Sequence, residues 1–388
     1  MTEVSVKKEK IKTMFYFTNE WWNQYFFSEH DPPNAKSADE LDRIYLQRKR
    51  FLYESFGMFG QGEEHPLPDG KYVNMFVKWG MDVIPYILGC KLSAKEAGGY
   101  HVSPLSRDEI SGLKPVDVAG TVFAEWLIKR KEFLERRYGS ADIVLLLETS
   151  LNAASRMRGE EFYIDLGLDK PFAKHLLDVI LQTTLMAYRF FTQVFPMPDV
   201  NLTNCTINHI SAEMYEEMFL DNDIYLAENT RDLFPEKKNH VLLHNCDLPA
   251  DRFLEYYARI PYVYQFQASY KTDMEKYMQY MQDIPFCALV NPVSMIQMRT
   301  EELKEMMGQK TNDGVREWVF WGIDPLCGIE KVQTLMQAAK DACEANGFEA
   351  ELETIPFNFD ELEWSFPGWQ GKEIYSIDGV DKLAVDIN

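Results

Sequence analysis

Short apolar runs alternate with longer amphipathic stretches through the middle of the chain. The apolar runs have the length of buried strands: ADIVLLLET (141–149), HVLLHNC (240–246), YVYQFQA (262–268), FCALVNP (286–292) and EWVFWGID (317–324), with a weaker candidate at 200–208. The stretches between them have helical spacing and include 173–191, 212–229, 300–307 and 329–346. Continuous apolar strands that alternate with helices are typical of a parallel sheet covered on both faces.

Two architectures satisfy this pattern, an open doubly wound sheet and a closed barrel. The alternating zone spans residues 74–348, which suits the length of about 250 residues that is typical of a (β/α)8 barrel. No G-x-G-x-x-G fingerprint opens the first strand–helix turns, which argues against a dinucleotide-binding sheet. We therefore predict an α/β fold with a (β/α)8 TIM-type barrel over 74–348, an aromatic-rich N-terminal extension over 1–73 that packs on the barrel, and a C-terminal extension over 349–388.

Composition and charge narrow the classes of function and location. The chain has 388 residues, 46% of them hydrophobic, which is enough apolar material for a large core. Its net charge of −21 disfavours a nucleic-acid binder, which needs a basic face, and also disfavours docking on an anionic membrane. No apolar run reaches the roughly 20 residues that span a bilayer. Six cysteines spread from residue 90 to residue 343 do not resemble the framework of a short secreted chain, so we expect reduced thiols and a cytoplasmic protein.

Polar and thiol side chains gather where the predicted strands end, which is where the working residues of a parallel barrel lie. His244 and Cys246 are two positions apart at the end of one strand, so both side chains can point to the same side. Imidazole nitrogen and thiolate sulfur are favoured zinc ligands. Cys327, in the loop after the last strand, would complete three ligands and leave the open fourth position of a catalytic zinc. The alternative is a core histidine with two inert buried thiols.

The chain resembles the uroporphyrinogen decarboxylase superfamily, a family of (β/α)8 barrels. The resemblance is best from His240 to Ala342, in HVLLHNCDLPADRFLEYYA, NPVSMIQMRTEELKEMM and DPLCGIEKVQTLMQAAKDA. It extends upstream through DVIPYILGCKLS, ETSLNAASRMRGEEFYIDL and ISAEMYEEMFL, and covers roughly residues 75–348. The resemblance implies a barrel with its site at the carboxyl ends of the strands.

The metal motif separates two activities within that superfamily. The decarboxylases bind an acidic tetrapyrrole and use no cofactor, whereas the cobamide-dependent methyltransferases, such as methylcobamide:coenzyme M methyltransferases, carry H-x-C and a much later cysteine. His244-Asn245-Cys246 and Cys327 match that motif, and the arginine-bearing signature of decarboxylases is not visible in residues 1–73. The resemblance therefore implies a zinc-dependent methyltransferase, with tetrapyrrole decarboxylation or a catalytically silent barrel as the alternatives.

The implied reaction moves a methyl group between a corrinoid, presented as a methylcobamide by a separate corrinoid carrier protein, and a small molecule. That small molecule would be a thiol acceptor, or a methoxylated or methylated donor as in O-demethylase systems. The same three zinc ligands would serve either direction of transfer.

Other polar residues at or near predicted strand ends are candidates for the same site. Glu148 would be a fourth zinc ligand when substrate is absent, or simply a loop carboxylate. Cys205, Asn208 and Asn291 are predicted to contact the corrinoid or the substrate. The resemblance implies the same for Asp82, which lies near the position where the superfamily keeps an acidic group in its pocket. For Asp82 the alternative is a solvated loop residue, and for Cys205 and Asn208 it is packing before a helix that starts at Ser211.

The N-terminal zone holds a cluster of aromatic side chains with two interpretations. They would either cap a pocket for a methoxylated ring or a methylammonium group, or form an apolar helix face against the bottom of the barrel. The cluster consists of Trp21, Trp22, Tyr25, Phe26 and Phe27.

Overall fold

The computed structural model of the protein describes residues 9–26, 38–67, 77–94, 100–139, 147, 149–195, 197, 199–246 and 249–355. Within these ranges the strands are β1 (Lys10–Phe17), β2 (Lys91–Ala94), β3 (Tyr100–Ser103), β4 (Val200–Thr203), β5 (Val241–His244), β6 (Val263–Ser269), β7 (Phe286–Val290), β8 (Val315–Ile323) and β9 (Glu349–Ile355).

The first eight helices precede β4. They are α1 (Asn19–Phe26), α2 (Ala38–Phe56), α3 (Val77–Ile87), α4 (Arg107–Ser111), α5 (Val122–Tyr138), α6 (Ser150–Arg158), α7 (Glu161–Leu168) and α8 (Lys170–Val194).

The remaining helices alternate with the strands from β4 onward. They are α9 (Ala212–Tyr215), α10 (Asp221–Asn229), α11 (Leu254–Tyr257), α12 (Met274–Met281), α13 (Pro292–Gln297), α14 (Thr300–Asn312) and α15 (Ile329–Ala345), and a π-helical turn at Glu216–Leu220 joins α9 to α10. No helix in the described ranges combines the length and the apolar character needed to cross a bilayer.

Seven strands form one parallel sheet in the order β4-β5-β6-β7-β8-β1-β9, and β2 with β3 forms a separate antiparallel hairpin. The α/β class and the parallel sheet predicted from the sequence are therefore confirmed. Strands β4 to β8 match the five predicted runs after residue 199. The sequence pattern assigned no strand to the N- and C-terminal segments, yet β1 and β9 are members of the same sheet.

A closed barrel is not confirmed, because no pairing among the described residues joins the edge strands β4 and β9. The predicted first strand, 141–149, lies largely outside the described residues. Its last residue, Thr149, donates its hydroxyl hydrogen to the backbone oxygen of Thr203 at 2.7 Å. The end of that run therefore lies beside the carboxyl end of β4.

The two faces of the sheet differ in chemistry. One face contributes large side chains such as Phe15, Phe266 and Trp318 to the main core that the helices cover. On the other face the strands place Met14, Cys287, Leu289 and Val319 together in a small apolar cluster, with Tyr16 against it. Polar side chains share that second face with the cluster, because the parallel register sets His244, Gln267, Cys287, Glu317 and Lys12 in one row across neighbouring strands.

The side chain of Gln61 connects the edge strand β9 to the loop that follows α2. Gln61, which is buried, donates from Nε2 to the backbone oxygen of Leu352 at 2.9 Å and accepts from the backbone N–H of Thr354 at 2.7 Å. The outer edge of β9 has no strand partner among the described residues, and Gln61 satisfies two of the backbone groups that such an edge exposes. The loop that carries Gln61 must therefore keep its place between α2 and the sheet.

We expect Gly62→Ala to lower the free energy of unfolding by about 3 kcal/mol or more. Gly62 has φ +68, and a Cβ there would lie 2.2 Å from the backbone nitrogen of Tyr53 and 2.3 Å from the backbone oxygen of Lys49. Gly60→Ala is the matched control, because Gly60 has φ +77 but nothing within 4 Å of the added carbon. Urea unfolding of the three proteins measures the difference, and equal losses in both variants would contradict the steric explanation.

Candidate metal centre

Three side chains of types that can ligate a metal ion, here called the metal-binding group for that reason, lie at the carboxyl ends of β4 and β5. His244 is the last residue of β5, Cys246 follows it by two positions, and Cys205 follows the end of β4. Because β4 and β5 are parallel neighbours, their carboxyl ends meet at the same edge of the sheet. The ligand atoms of the three side chains lie within 4.8 Å of one another, and each of the three residues is half-buried.

The contacts inside this group are short. Nε2 of His244 lies 3.2 Å from Sγ of Cys246, and that sulfur lies 2.6 Å from Sγ of Cys205. Cys246 adopts φ +25, a left-handed backbone conformation that residues other than glycine rarely adopt. Strain of this kind persists only where the surrounding structure enforces it, and it concentrates at functional sites.

Burial and mutual hydrogen bonds shift the pKa values of His244 and Cys205. Burial lowers the pKa of His244, but the hydrogen bonds and charge interaction with Cys205, with a further hydrogen bond to Gln267, outweigh burial and raise it above its ordinary value. The hydrogen bond from Cys246 and burial together raise the pKa of the Cys205 thiol. A bound dication would reverse this preference, because metal coordination deprotonates a thiol.

The other ring nitrogen of His244 has its own partner. Nδ1 of His244 lies 2.9 Å from Oε1 of Gln267, on the adjacent strand β6. An amide oxygen only accepts, so Nδ1 carries the hydrogen and Nε2 presents its lone pair toward the cysteine sulfurs. Metal-bound histidines have this arrangement, in which the ring nitrogen that does not bind metal donates to a fixed acceptor.

Two of the three predicted zinc ligands, His244 and Cys246, are thus brought together, and Cys205 stands beside them. Cys327 is fully buried and does not belong to this group of mutually close ligand atoms in the described part of the chain. It follows β8, which lies three strands away from β5 in the sheet. Its backbone N–H donates to the oxygen of Asp324, and its backbone oxygen accepts from Nε1 of Trp21 at 2.7 Å.

The other predicted site residues that the structure describes have hydrogen-bond or ion-pair partners outside the metal-binding group. Asp82 is buried and forms an ion pair with Nη1 of Arg156 at 3.0 Å. Asn208 accepts from Nη2 of Arg252 through both its backbone oxygen and Oδ1, at 3.0 Å each. Asn291 caps the N-terminus of α13, because its Oδ1 accepts from the backbone N–H of the third residue along. Glu148 lies outside the described residues.

The N-terminal aromatic cluster belongs to the core. Trp21 and Trp22 are fully buried, and both rings pack against Phe17. Tyr25 packs against the ring of Trp21. The side chains of Phe26 and Phe27 lie outside the described residues. Because Trp21 donates to the backbone of Cys327, the cluster also fixes the loop after β8.

A buried polar network behind the metal-binding group was not predicted from the sequence. Asn204, next to Cys205, donates to Oδ2 of Asp223 at 3.3 Å, and the hydroxyl of Tyr215 donates to the same oxygen at 2.7 Å. Asn245, between His244 and Cys246, accepts from the hydroxyl of Tyr257 at 3.0 Å. The network therefore holds both loops that carry the ligands. The sequence signal for this network is the asparagine that directly precedes Cys205 and the one that directly precedes Cys246.

Comparisons with known proteins give a likeness in structure only. No profile of a protein family matches the chain, and no curated protein matches it in sequence. The chain is similar in structure to a methyltransferase from Methanosarcina mazei, with a TM-score of 0.51 and 12% sequence identity. The match covers 83% of this chain and 97% of the other. At this identity the match establishes a shared fold.

We expect Asp223→Asn to stabilise the metal-free protein at neutral pH. Burial raises the pKa of Asp223 to about 6, although the hydrogen bonds from Tyr215 and Asn204 oppose the rise. The stability due to its protonated form is full below about pH 4, the ordinary pKa of an aspartate, and is lost as the pH rises through about 6. At about 1.4 kcal/mol per pKa unit, the variant should gain up to about 3 kcal/mol at pH 7–8 and nothing near pH 4.

Urea unfolding in the presence of a chelator, repeated between pH 4 and pH 8, measures this effect. Asp221→Asn is the control, because Asp221 is an exposed carboxylate at the start of the same helix. Parallel pH profiles for the wild-type protein and Asp223→Asn would show that the buried carboxyl does not govern stability.

Proposed function

We propose that this chain is a zinc-dependent methyltransferase that moves a methyl group between a corrinoid, presented by a corrinoid carrier protein, and a small molecule. The observation that carries the proposal is the group formed by Cys205, His244 and Cys246 at the carboxyl edge of a parallel sheet. The similarity in fold to a methyltransferase and the H-x-C motif support the same reaction class.

The donor set suits zinc better than other common metals. Two sulfurs and one imidazole are the ligands of zinc sites, whereas calcium and magnesium prefer oxygen. Three protein ligands leave a fourth position for a substrate atom, as in catalytic zinc sites. When bound, zinc would lower the pKa of a thiol substrate or polarise the heteroatom of a methyl donor.

The residues of the chain prepare this site before any substrate arrives. Gln267 holds Nδ1 of His244, so that Nε2 is left to bind. The left-handed backbone at Cys246 and the network around Asp223 hold both cysteine-bearing loops. The family motif implies Cys327 as a ligand, so Cys327 remains the alternative to Cys205 as the third zinc ligand.

We also propose that the sheet closes into a (β/α)8 barrel. Seven parallel strands are described, and the run 141–149 would be the eighth. The hydrogen bond from Thr149 to Thr203 supports a place for that run beside β4, at the open edge of the sheet. The active site would then lie at the mouth of the barrel, as in other enzymes with this fold.

We expect the purified protein, kept in a thiol-free reductant, to bind about one zinc ion per chain. Cys205→Ala and Cys246→Ala should each lose most of that zinc, because each removes one of three ligands. Cys343→Ala is the control, because Cys343 is a buried thiol on α15 outside the group. Elemental analysis after dialysis measures the metal. Zinc lost from Cys327→Ala but kept by Cys205→Ala would assign the third position to Cys327.

We expect methyl transfer to depend on His244. Methylcobalamin with a panel of thiols, and cob(I)alamin with methoxyarenes and methylamines, test the two directions through the corrinoid absorption spectrum. His244→Ala should lower the rate of methyl transfer, in whichever direction is active, by more than about a hundredfold. Loss of a residue that only hydrogen-bonds to a metal ligand already costs about 10- to 100-fold in metal affinity or activity. Circular dichroism checks that the variant folds. A metal-free enzyme that decarboxylates a tetrapyrrole, or no corrinoid reaction with either panel, would overturn the proposal.

A further inference from the structure

A chain of hydrogen bonds runs from His244 into the sheet on the face opposite the main core. Nδ1 of His244 meets Oε1 of Gln267 at 2.9 Å, and Nε2 of Gln267 donates to Oε1 of Gln265 at 3.1 Å. Nε2 of Gln265 in turn donates to Oε2 of Glu317 at 2.9 Å. The chain joins β5 to β8 through two glutamines of β6, across three strand spacings or about 14 Å.

The chain has a direction because its far end is a carboxylate. An ionised carboxylate only accepts, so Gln265 must turn its NH2 group toward Glu317 and its oxygen toward Gln267. Gln267 must then turn its own NH2 group toward Gln265 and its oxygen toward His244. The remaining contact is satisfied only if Nδ1 of His244 carries the hydrogen.

The surroundings of Glu317 favour its role as an acceptor. Cys287, its partner in the register of β7 and β8, lies within hydrogen-bonding reach. Burial raises the pKa of the Cys287 thiol well above its ordinary value, so the thiol keeps its hydrogen and donates it. Lys12, in register with Glu317 on β1, adds a positive charge nearby. The carboxylate of Glu317 therefore meets donors from β6 and β7 and a positive charge from β1.

We infer that Glu317 is a positioning residue that sets the tautomer of His244 through Gln265 and Gln267, and so keeps Nε2 free to bind the metal. The inference rests on the proposed zinc site, which it deepens. If Glu317 lost its charge, both glutamine amides could turn over, and His244 could carry its hydrogen on Nε2. A nitrogen that carries a hydrogen has no lone pair to offer a metal.

The first experiment measures the tautomer in metal-free protein by two-bond 1H–15N correlation spectra of the histidine rings. At a pH where the ring is neutral, we expect His244 of the wild-type protein to be in the Nδ1–H form. In Glu317→Gln the new side-chain amide can offer either its oxygen or its NH2 group to Gln265. Both glutamines of β6 can then turn over, so a substantial population of His244 should carry its hydrogen on Nε2. Glu353→Gln is the matched control, because Glu353 is an acid on β9 that pairs with Lys12 at 2.8 Å but lies outside the chain of hydrogen bonds.

The second experiment measures zinc affinity by competition with a chromophoric chelator. We expect Glu317→Gln to bind zinc several-fold more weakly and Gln267→Leu about 10- to 100-fold more weakly, the range for partners of metal-bound histidines. Glu353→Gln should match the wild-type protein. The double variant Glu317→Gln, Gln265→Glu should regain both the Nδ1–H form and the affinity, because it places a carboxylate next to Gln267.

The outcomes separate this inference from the proposed function. An unchanged tautomer with affinity within about twofold of wild type in Glu317→Gln would overturn the positioning role while the zinc site stands. Equal losses in Glu317→Gln and Glu353→Gln would also overturn it, because net charge alone would then explain the effect. A wild-type protein that binds no zinc would overturn the proposed function, and the tautomer spectra would still test the hydrogen-bond chain.

Discussion

The candidate site depends on the parallel pairing of β4 with β5. Cys205 and His244 are 39 positions apart in the sequence, and they meet because both strands end at the same edge of the sheet. The pairing supplies only proximity. The left-handed backbone at Cys246 then returns a second thiol to the same place, and the hydrogen bond to Gln267 orients the imidazole. Each of these features would be of little use without the other two.

The polar groups behind this edge divide into two sets with different tasks. On the helix side, Asn204 ties the loop that carries Cys205 to Asp223 of α10, which Tyr215 at the end of α9 also contacts. Asn245 ties the loop that carries Cys246 to Tyr257 of α11. On the opposite face of the sheet, two glutamines and Glu317 form a chain of hydrogen bonds that ends at the imidazole. The first set fixes where the backbone lies, and the second fixes which atom of one ring faces the site. A π-helical turn is rare and is often found at functional sites, which agrees with its place next to the first set.

Much of this arrangement could be predicted from the sequence because its signals are local. The apolar runs of β5 to β8 are dense enough to read as buried strands, and the two-residue period places His244 and Cys246 on one side. Strand β9 was missed because EAELETI is mostly polar, as suits a half-exposed edge. The identity of the third side chain next to His244 and Cys246 depends on which strands pair. Strand pairing is a property of the tertiary structure and cannot be read from a local motif. The family motif therefore pointed to Cys327, whereas the structure places Cys205 next to His244 and Cys246.

The position of β1 between β8 and β9 has a consequence for how the chain is made. The strand leaves the ribosome before both of its partners, which begin at residues 315 and 349, so roughly 300 residues must be synthesised before it can pair. At about 5–20 residues per second, that interval lasts about 15 to 60 s. Throughout it, Phe15 and Phe17, which are buried in the native sheet, have no strand to cover them. An unpaired apolar strand is a template for aggregation. The nascent chain therefore needs shielding, by a chaperone or by transient contacts of its own, until the last strands emerge.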